Sequence, residues 1–287
     1  MLKLEPWNGY VEPGFRVNFL GVRTRNYMAL LEKPTNSEAD SEARFVSTSY
    51  PDFDEEYFQW IDLCEAVLQS SGAFTMLELG AGYGRWLCNA AAALRSLKRS
   101  EFRLIGVEAE PVHFQWMKLH MNDNMIDQRS LDLHEAAVSA EDGKVRFLIG
   151  NPSNWYGQSI WPPRTKTILP PSLKLGLAYL RRRVRTIKAI SLTTLLRTLP
   201  FVDLVDLDVQ GNEFEVLSAA SDEICHKVRR IHIGTHGNDI EAQLRSLFQR
   251  LQWKNKFDFP SDGESDTQWG KIMFQDGVQS WVNPNMD

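Results

Sequence analysis

Apolar residues along this chain follow two alternating patterns. Short apolar runs are typical of buried strands, and apolar residues three or four positions apart are typical of helices. The runs predict strands at 74–79, 102–108, 131–138, 144–149, 202–208 and 229–235. The helical spacing predicts helices at about 52–71, 85–97, 111–125, 212–220 and 239–251. This alternation predicts an α/β domain that is doubly wound around a mostly parallel sheet.

The two ends of the chain depart from this alternation. The tail from Trp269 to Val282 alternates around Asp276-Gly277, which predicts a C-terminal antiparallel hairpin. Residues 1–72 are expected to form an N-terminal extension whose helix packs on the main domain. We therefore expect the main domain to span 73–287, with a basic insertion at about 150–190.

Composition narrows the class of protein. A hydrophobic fraction of 43% and a charged fraction of 24% are ordinary for a soluble globular chain of 287 residues. The formal net charge of -5 provides no basic excess for phosphates, so nucleic acid is not expected as a partner. Cys64, Cys88 and Cys225 are odd in number and widely spaced. Without a disulfide framework, a signal-like apolar core or a long apolar run, a cytoplasmic protein is expected.

A glycine-rich turn follows the first strand of the alternating region, in the segment LELGAGYG at 77–84. Arg85 stands where the dinucleotide fingerprint has its third glycine. Glu78 lies two positions before Gly80, where a carboxylate would repel a pyrophosphate but attract a sulfonium and an α-amino group. The candidate ligand-binding residues of this segment are Glu78, Gly80, Ala81, Gly82 and Gly84.

A second acidic residue ends the next predicted strand. Glu108 is placed to accept hydrogen bonds from both hydroxyls of a ribose, and Ala109 follows it as a further candidate binding residue. Together with the glycine turn, these residues predict a site for a positively charged nucleoside ligand.

These motifs resemble the FkbM-type methyltransferases, which O-methylate sugars, polyketides and related natural products. The similarity covers about 58–284 and includes LELGAG at 77–82, EAEP at 108–111, Ala137-Val138, Ser191-Leu192 and DLDVQGNE at 206–213. In the last motif, Asp206 replaces a family lysine and Gln210 the first glutamate. The resemblance implies a class I, Rossmann-like methyltransferase fold and S-adenosylmethionine as cofactor. It also implies a small-molecule or carbohydrate acceptor, with methylation on a hydroxyl of a sugar, glycolipid or secondary metabolite.

An alcohol acceptor must lose its proton, so a base or a metal ion is expected at the carboxyl ends of the later strands. His236 follows the strand at 229–235 and is the predicted general base. Asp208 is predicted to orient His236 or the acceptor, and is also a candidate cofactor-binding residue. A divalent metal is a less favoured alternative, with oxygen ligands from Asp206, Asp208, Asn212 and Glu213.

Residues 162–190 contain eight basic residues and no acidic one. This composition predicts a basic amphipathic helix that contacts an anionic membrane or an acidic substrate, or else a solvated face over the site. Two other functions stay open at this point. One is a methyltransferase-like binding protein without catalysis, and the other is an NAD-dependent oxidoreductase, which Glu78 and Arg85 disfavour.

Overall fold

The computed structural model describes residues 4–29, 42–150, 158–161 and 183–286. Its strands are β1 (Asn8–Val11), β2 (Phe15–Val17), β3 (Arg23–Arg25), β4 (Arg44–Ser47), β5 (Phe74–Leu79), β6 (Phe102–Glu108), β7 (Leu131–Glu135), β8 (Ala137–Ser139), β9 (Gly143–Leu148), β10 (Val184–Ser191), β11 (Leu204–Leu207), β12 (Arg230–Thr235), β13 (Lys254–Phe259), β14 (Gly263–Thr267), β15 (Gly270–Phe274) and β16 (Gly277–Val282). Its α-helices are α1 (Tyr57–Gln69), α2 (Arg85–Ser96), α3 (Pro111–Asp123), α4 (Leu192–Arg197), α5 (Glu213–Ala219), α6 (Ser221–Lys227) and α7 (Asn238–Arg250).

The central sheet has seven strands in the order β13-β16-β12-β11-β5-β6-β7. β16 runs antiparallel to both of its neighbours, and the other strands are parallel to one another. When the seven strands of this sheet are numbered in chain order, with β5 as the first, the order across the sheet from β7 to β13 is 3-2-1-4-5-7-6. This order reverses between β5 and β11. Ligands of such sheets bind at the carboxyl edge beside the reversal. This topology is the doubly wound, Rossmann-like α/β fold that the sequence predicts.

Helices cover both faces of this sheet and create two cores. On one face, α1, α2 and α3 pack with residues of the N-terminal region. On the other face, α4 to α7 pack over the strands around the reversal. Trp60 of α1 meets Trp86 of α2 edge to face, with ring centroids 4.8 Å apart. The helix that the sequence assigned to an extension is therefore an integral part of one helical layer.

The C-terminal strands are antiparallel as predicted, but they pair differently. β16, which follows Asp276-Gly277, pairs with β12 and β13, whereas β15 pairs with β14. The hairpin is thus β14–β15, inserted between β13 and β16. The physical reason is burial, because all but the last residue of β16 are buried, and such a strand belongs inside a sheet rather than at its edge.

Another expectation also changes. The strand predicted at 131–138 is divided between two sheets, because its pairing with β6 ends where the N–H of Ala136 donates to the carbonyl of Glu108, and Ala137–Ser139 then pairs with β10 in a second sheet. Residues 162–182 of the basic insertion lie outside the described residues. At the described end of the insertion, Val184–Ser191 forms β10.

Among the described residues, no helix has the length and apolar character that crossing a bilayer requires.

The turn after β5 depends on glycine for a steric reason. Gly80, Gly82 and Gly84 all have positive φ, at 83°, 53° and 72°, a conformation that other residues rarely adopt. A Cβ atom on Gly80 would lie 1.7 Å from the carbonyl oxygen of Asp208. The backbones that follow β5 and β11 therefore approach each other more closely than any side chain permits.

We expect Gly80→Ala to lower the free energy of unfolding by at least about 2 kcal/mol. Overpacking costs about 1–3 kcal/mol, and an alanine held in the left-handed region adds about 1–2 kcal/mol. Urea denaturation measures the change. Gly72→Ala is the matched control, because a Cβ there meets nothing within 4 Å. Equal stability of the two variants would contradict the close approach.

Candidate active site

A cavity of about 420 Å³ opens at the carboxyl edge of the sheet, beside the reversal between β5 and β11. Its wall includes the glycine turn, the segments that follow β6, β11 and β12, and the start of α1. Seven carboxyl groups line it, namely Glu55, Glu56, Glu78, Glu108, Asp206, Asp208 and Asp276. One cation on the wall, Arg85, is already paired with Glu56. The cavity therefore favours a positively charged ligand.

Glu78 lies in the wall of the cavity, and its side chain does not point to solvent. Its two carboxylate oxygens accept hydrogen bonds from the N–H groups of Trp86 and Leu87, at 3.2 and 3.0 Å. These donors belong to the first turn of α2, where negative charge is favourable. Burial, together with repulsion from Asp206 on the neighbouring strand, raises the pKa of Glu78 well above its ordinary value. A cation in the cavity would favour the ionised form.

Glu108 connects the second strand to the glycine turn. Its Oε2 accepts the N–H of Gly82 at 2.7 Å, and its Oε1 accepts the N–H of Glu110 at 2.7 Å. Burial raises the pKa of Glu108 to about 7. Ala109 is buried beside it and also lines the cavity. The candidate residues of both motifs are thus brought together along one side of the cavity.

His236 lies behind the wall of the same cavity, in a cluster of carboxylates that includes the lining residues Asp208 and Asp276. Its Nδ1 lies 2.8 Å from Oε1 of Glu213, while its Nε2 lies 3.5 Å from Oδ1 of Asp208 and 3.7 Å from Oδ1 of Asp276. The antiparallel register, in which Thr235 pairs with Gly277, brings Asp276 opposite His236. Glu213 is fully buried and contacts one ring nitrogen, whereas Asp208 faces the other, so the orienting role of Asp208 stays a prediction.

The charge of this cluster bears on the base predicted at His236. Burial by itself would lower the pKa of His236, but Asp208, Glu213 and Asp276 outweigh burial and raise it to about 10. The three carboxylates therefore favour the imidazolium form of the ring, which has no lone pair to accept a proton. For His236 to act as a base or as a ligand, another positive charge must replace that proton.

Of the four residues considered as metal ligands, Asp208 and Glu213 lie within reach of one another. Both oxygens of Asp206 accept hydrogen bonds from Nε2 of Gln59 on α1, at 2.8 Å each, and Asn212 precedes α5 as its N-cap residue. Among the described residues, the structure instead groups Asp208, Glu213 and His236. The sequence analysis missed two residues of the site, Gln59 and Asp276. Gln59 lies in an amphipathic helix and Asp276 has the character of a turn residue, so neither position indicated a place in the site.

A buried ionic network supports the cavity from behind. Asp62 of α1 is fully buried and contacts Nη1 of Arg230 at 2.7 Å and Nδ1 of His232 at 2.9 Å. Lys256 completes the network, with its Nζ 3.3 Å from Oδ1 of Asp62. Burial would raise the pKa of Asp62, but these three partners outweigh it and hold the pKa well below the ordinary value. The network attaches α1 to β12 and fixes His232 in the cavity wall.

A doubly wound sheet of this topology, with an acidic cavity over its glycine turn, defines a methyltransferase-type α/β protein. A family model described as the methyltransferase FkbM domain matches residues 78–259, and the chain belongs to this family. It is therefore a methyltransferase of the FkbM family. A relative from Jannaschia sp. (strain CCS1), named only as a methyltransferase, is 28% identical over 294 residues, which cover 100% of this chain and 98% of the relative.

Solved structures with a similar fold include other methyltransferases. Methyltransferase FkbM from Methylobacillus flagellatus KT has 12% identity and a TM-score of 0.45, over 73% of this chain and 43% of that chain. This chain thus spans less than half the length of that protein. Precorrin-6y C5,15-methyltransferase from Geobacter metallireducens GS-15 has 11% identity and a TM-score of 0.43, over 80% of this chain and 89% of that chain.

We expect Asp62→Asn to lower the free energy of unfolding by about 3–5 kcal/mol, because it leaves buried cations without their partner. The stabilisation by Asp62 is complete above the ordinary aspartate pKa of about 3.9 and decreases as the pH falls toward the lowered value. Denaturation at neutral pH and at acid pH measures both effects. Glu264→Gln, which removes a carboxylate from an exposed pair with Lys271, should leave the stability nearly unchanged. A small loss in both variants would refute the structural role of the network.

Proposed function

We propose that this protein transfers the methyl group of S-adenosylmethionine to a hydroxyl oxygen of a sugar, glycolipid or secondary metabolite. The observation that carries the proposal is the cavity at the strand reversal, which combines a glycine turn with seven carboxyl groups. S-adenosylmethionine has two positive groups, a sulfonium and an α-amino group, and no phosphate. A dinucleotide would place a pyrophosphate beside Glu78, which charge repulsion disfavours.

The described residues fit this cofactor in three respects. Gly80, Gly82 and Gly84 keep side chains out of the turn, so a ligand can lie directly against its backbone. Glu78 supplies negative charge for the amino-acid end of the cofactor. Glu108 is held by two backbone N–H groups, which leaves the remaining lone pairs of its carboxylate for the ribose hydroxyls. We assign Ala81, Ala109 and Asp208 to the surrounding wall of this binding site.

The reaction is an in-line displacement at carbon. The bound cofactor supplies an electrophilic methyl group, the acceptor oxygen forms the new C–O bond, the C–S bond breaks, and the hydroxyl proton goes to the protein. We assign the receipt of this proton to Asp208, which lines the cavity, together with His236 beside it, which can serve as the base once another positive charge has replaced its own proton. Alignment of the acceptor with the methyl group contributes as much as about 7–11 kcal/mol in favourable cases.

An aromatic group beside the cavity suits a ring-shaped acceptor. Trp269 is 46% exposed, and its ring centroid lies 5.8 Å from Tyr57 and 6.1 Å from Phe53. These rings adjoin Glu55 and Glu56, which line the cavity. Phe274 and Trp281, which share the C-terminal region, are buried in the cores instead. We therefore assign the acceptor wall to Phe53, Tyr57 and Trp269, of which Phe53 and Trp269 are exposed.

The cellular setting of the proposal is the cytoplasm, because Cys64, Cys88 and Cys225 are free thiols. No nucleic-acid partner is proposed. Contact with an anionic membrane or an acidic substrate through 162–190 stays a prediction, since 162–182 lie outside the described residues.

The function is tested by binding and by transfer. In calorimetric titrations we expect S-adenosylmethionine and S-adenosylhomocysteine to bind and NAD not to bind. With a labelled methyl donor and a panel of hydroxylated sugars and glycolipids, label should appear in an O-methyl group identified by NMR. Binding of NAD with hydride transfer would contradict the proposal, and label on nitrogen would contradict its acceptor. Cofactor binding without transfer to any acceptor class would favour the non-catalytic alternative.

The affinity for S-adenosylhomocysteine should increase with pH through Glu108. Its pKa of about 7 means that the free protein is partly protonated at neutral pH, whereas the ribose hydroxyls donate to the carboxylate. For one such ionisation, the Kd should fall about tenfold between about pH 6 and about pH 8. Glu108→Gln should bind more weakly and without this pH dependence. A wild-type Kd that is constant over this interval would contradict the role of Glu108.

A further inference from the structure

We propose that Nε2 of His236 and the carboxylates of Asp208 and Asp276 form a binding site for a divalent first-row metal ion. Their distances fit this role, because Nε2 lies 3.5 Å from Asp208 Oδ1 and 3.7 Å from Asp276 Oδ1. Ligand atoms bonded to one ion at about 2.1 Å lie about 3.0–3.4 Å apart in octahedral or tetrahedral geometry. Closure onto an ion also requires Asp208 and Asp276 to approach each other, because the described side chains whose ligand atoms already lie within reach of one another are Asp208, Glu213 and His236.

Glu213 prepares the histidine for this role. Its Oε1 lies 2.8 Å from Nδ1 of His236, so the ring presents Nε2 to Asp208 and Asp276. Histidines that bind metal ions commonly donate their second ring N–H to a carboxylate in this way. Glu213 is therefore a positioning residue, which acts through His236.

An unsatisfied buried oxygen independently indicates that positive charge is missing from the cluster. Oε2 of Glu213 is buried without a hydrogen-bond partner among the described residues, although an ionised carboxylate in such a place is costly. Among the described residues, the ion pairs of Glu213, Asp208 and Asp276 all involve His236. Three carboxylates thus face one imidazole, and a divalent ion would balance the excess.

Gln210 supplies a further donor atom beside the same nitrogen. Its Nε2 lies 2.8 Å from Nε2 of His236 and 3.1 Å from Oδ1 of Asp208. Rotation of the amide by half a turn exchanges its oxygen and nitrogen and brings Oε1 to the ion. The replacement of the family glutamate by Gln210 therefore keeps an oxygen donor while it removes one negative charge.

One side of the proposed ion faces the cavity. The side chains of Asp208 and Asp276 are 50% and 39% exposed, and both line the cavity. An acceptor hydroxyl on that side can become a ligand, and a bound cation lowers the pKa of such a hydroxyl. This catalytic role rests on the proposed function, but metal binding itself does not. The mixed nitrogen and oxygen ligands suit Mn²⁺, Fe²⁺ or Zn²⁺ better than Ca²⁺.

Mn²⁺ titration of the chelator-treated full chain tests the site, with free Mn²⁺ followed by electron paramagnetic resonance. We expect saturable binding of one ion per chain. His236→Ala and Asp276→Asn should each weaken binding at least about 100-fold, and Glu213→Gln about 10–100-fold. Asp127→Asn is the charge-matched control, because Asp127 is exposed and precedes β7 at the opposite edge of the sheet. Its affinity should equal that of the wild type.

The folding of each variant is checked by thermal unfolding and by S-adenosylhomocysteine binding without metal. Absence of saturable Mn²⁺ binding, or wild-type affinity in folded His236→Ala and Asp276→Asn, overturns the metal site. Methyl transfer by fully chelated protein that binds no Mn²⁺ would overturn the metal site and leave the proposed function intact. Site-specific Mn²⁺ binding by a protein that binds no S-adenosylmethionine would support the metal site and refute the proposed function.

Discussion

The carbonyl oxygen of Asp208 lies in the space that any side chain of residue 80 would occupy, and the arrangement of the site depends on this contact. It joins the ends of β5 and β11, the neighbouring strands between which the strand order reverses. The parallel register then pairs Glu78 with Asp206. One steric constraint therefore positions the glycine turn, two buried carboxyl groups and the start of the rim cluster.

Charge is distributed unevenly around the cavity. Behind it, the buried carboxylate of Asp62 meets Arg230, His232 and Lys256 and is well compensated. At the rim, Asp208 shares a single imidazole, His236, with two further carboxylates. The structural network is thus complete within the protein, whereas the rim has an excess of negative charge. This difference is the reason that cationic ligands are assigned to the open side.

The departures from the family pattern have local physical explanations. Asp206 occupies the position of the family lysine, where a lysine would pair with Glu78 on the next strand. Here Gln59 donates to both oxygens of Asp206, and burial raises the pKa of Asp206 to about 7. The compensating donor comes from α1, outside the segment that the family model matches. Gln210 similarly reduces the negative charge around His236.

The amino-acid sequence by itself determined the class of fold, the glycine turn and the acidic residues at 78 and 108. These features depend on local periodicity and on backbone conformations that few residues other than glycine adopt. Only the tertiary structure decided which side chains surround His236. Asp276 reaches it because β16 lies inside the sheet beside β12 rather than in a hairpin with β15. Such pairing follows from burial of the whole strand between distant segments, which no short stretch of sequence specifies.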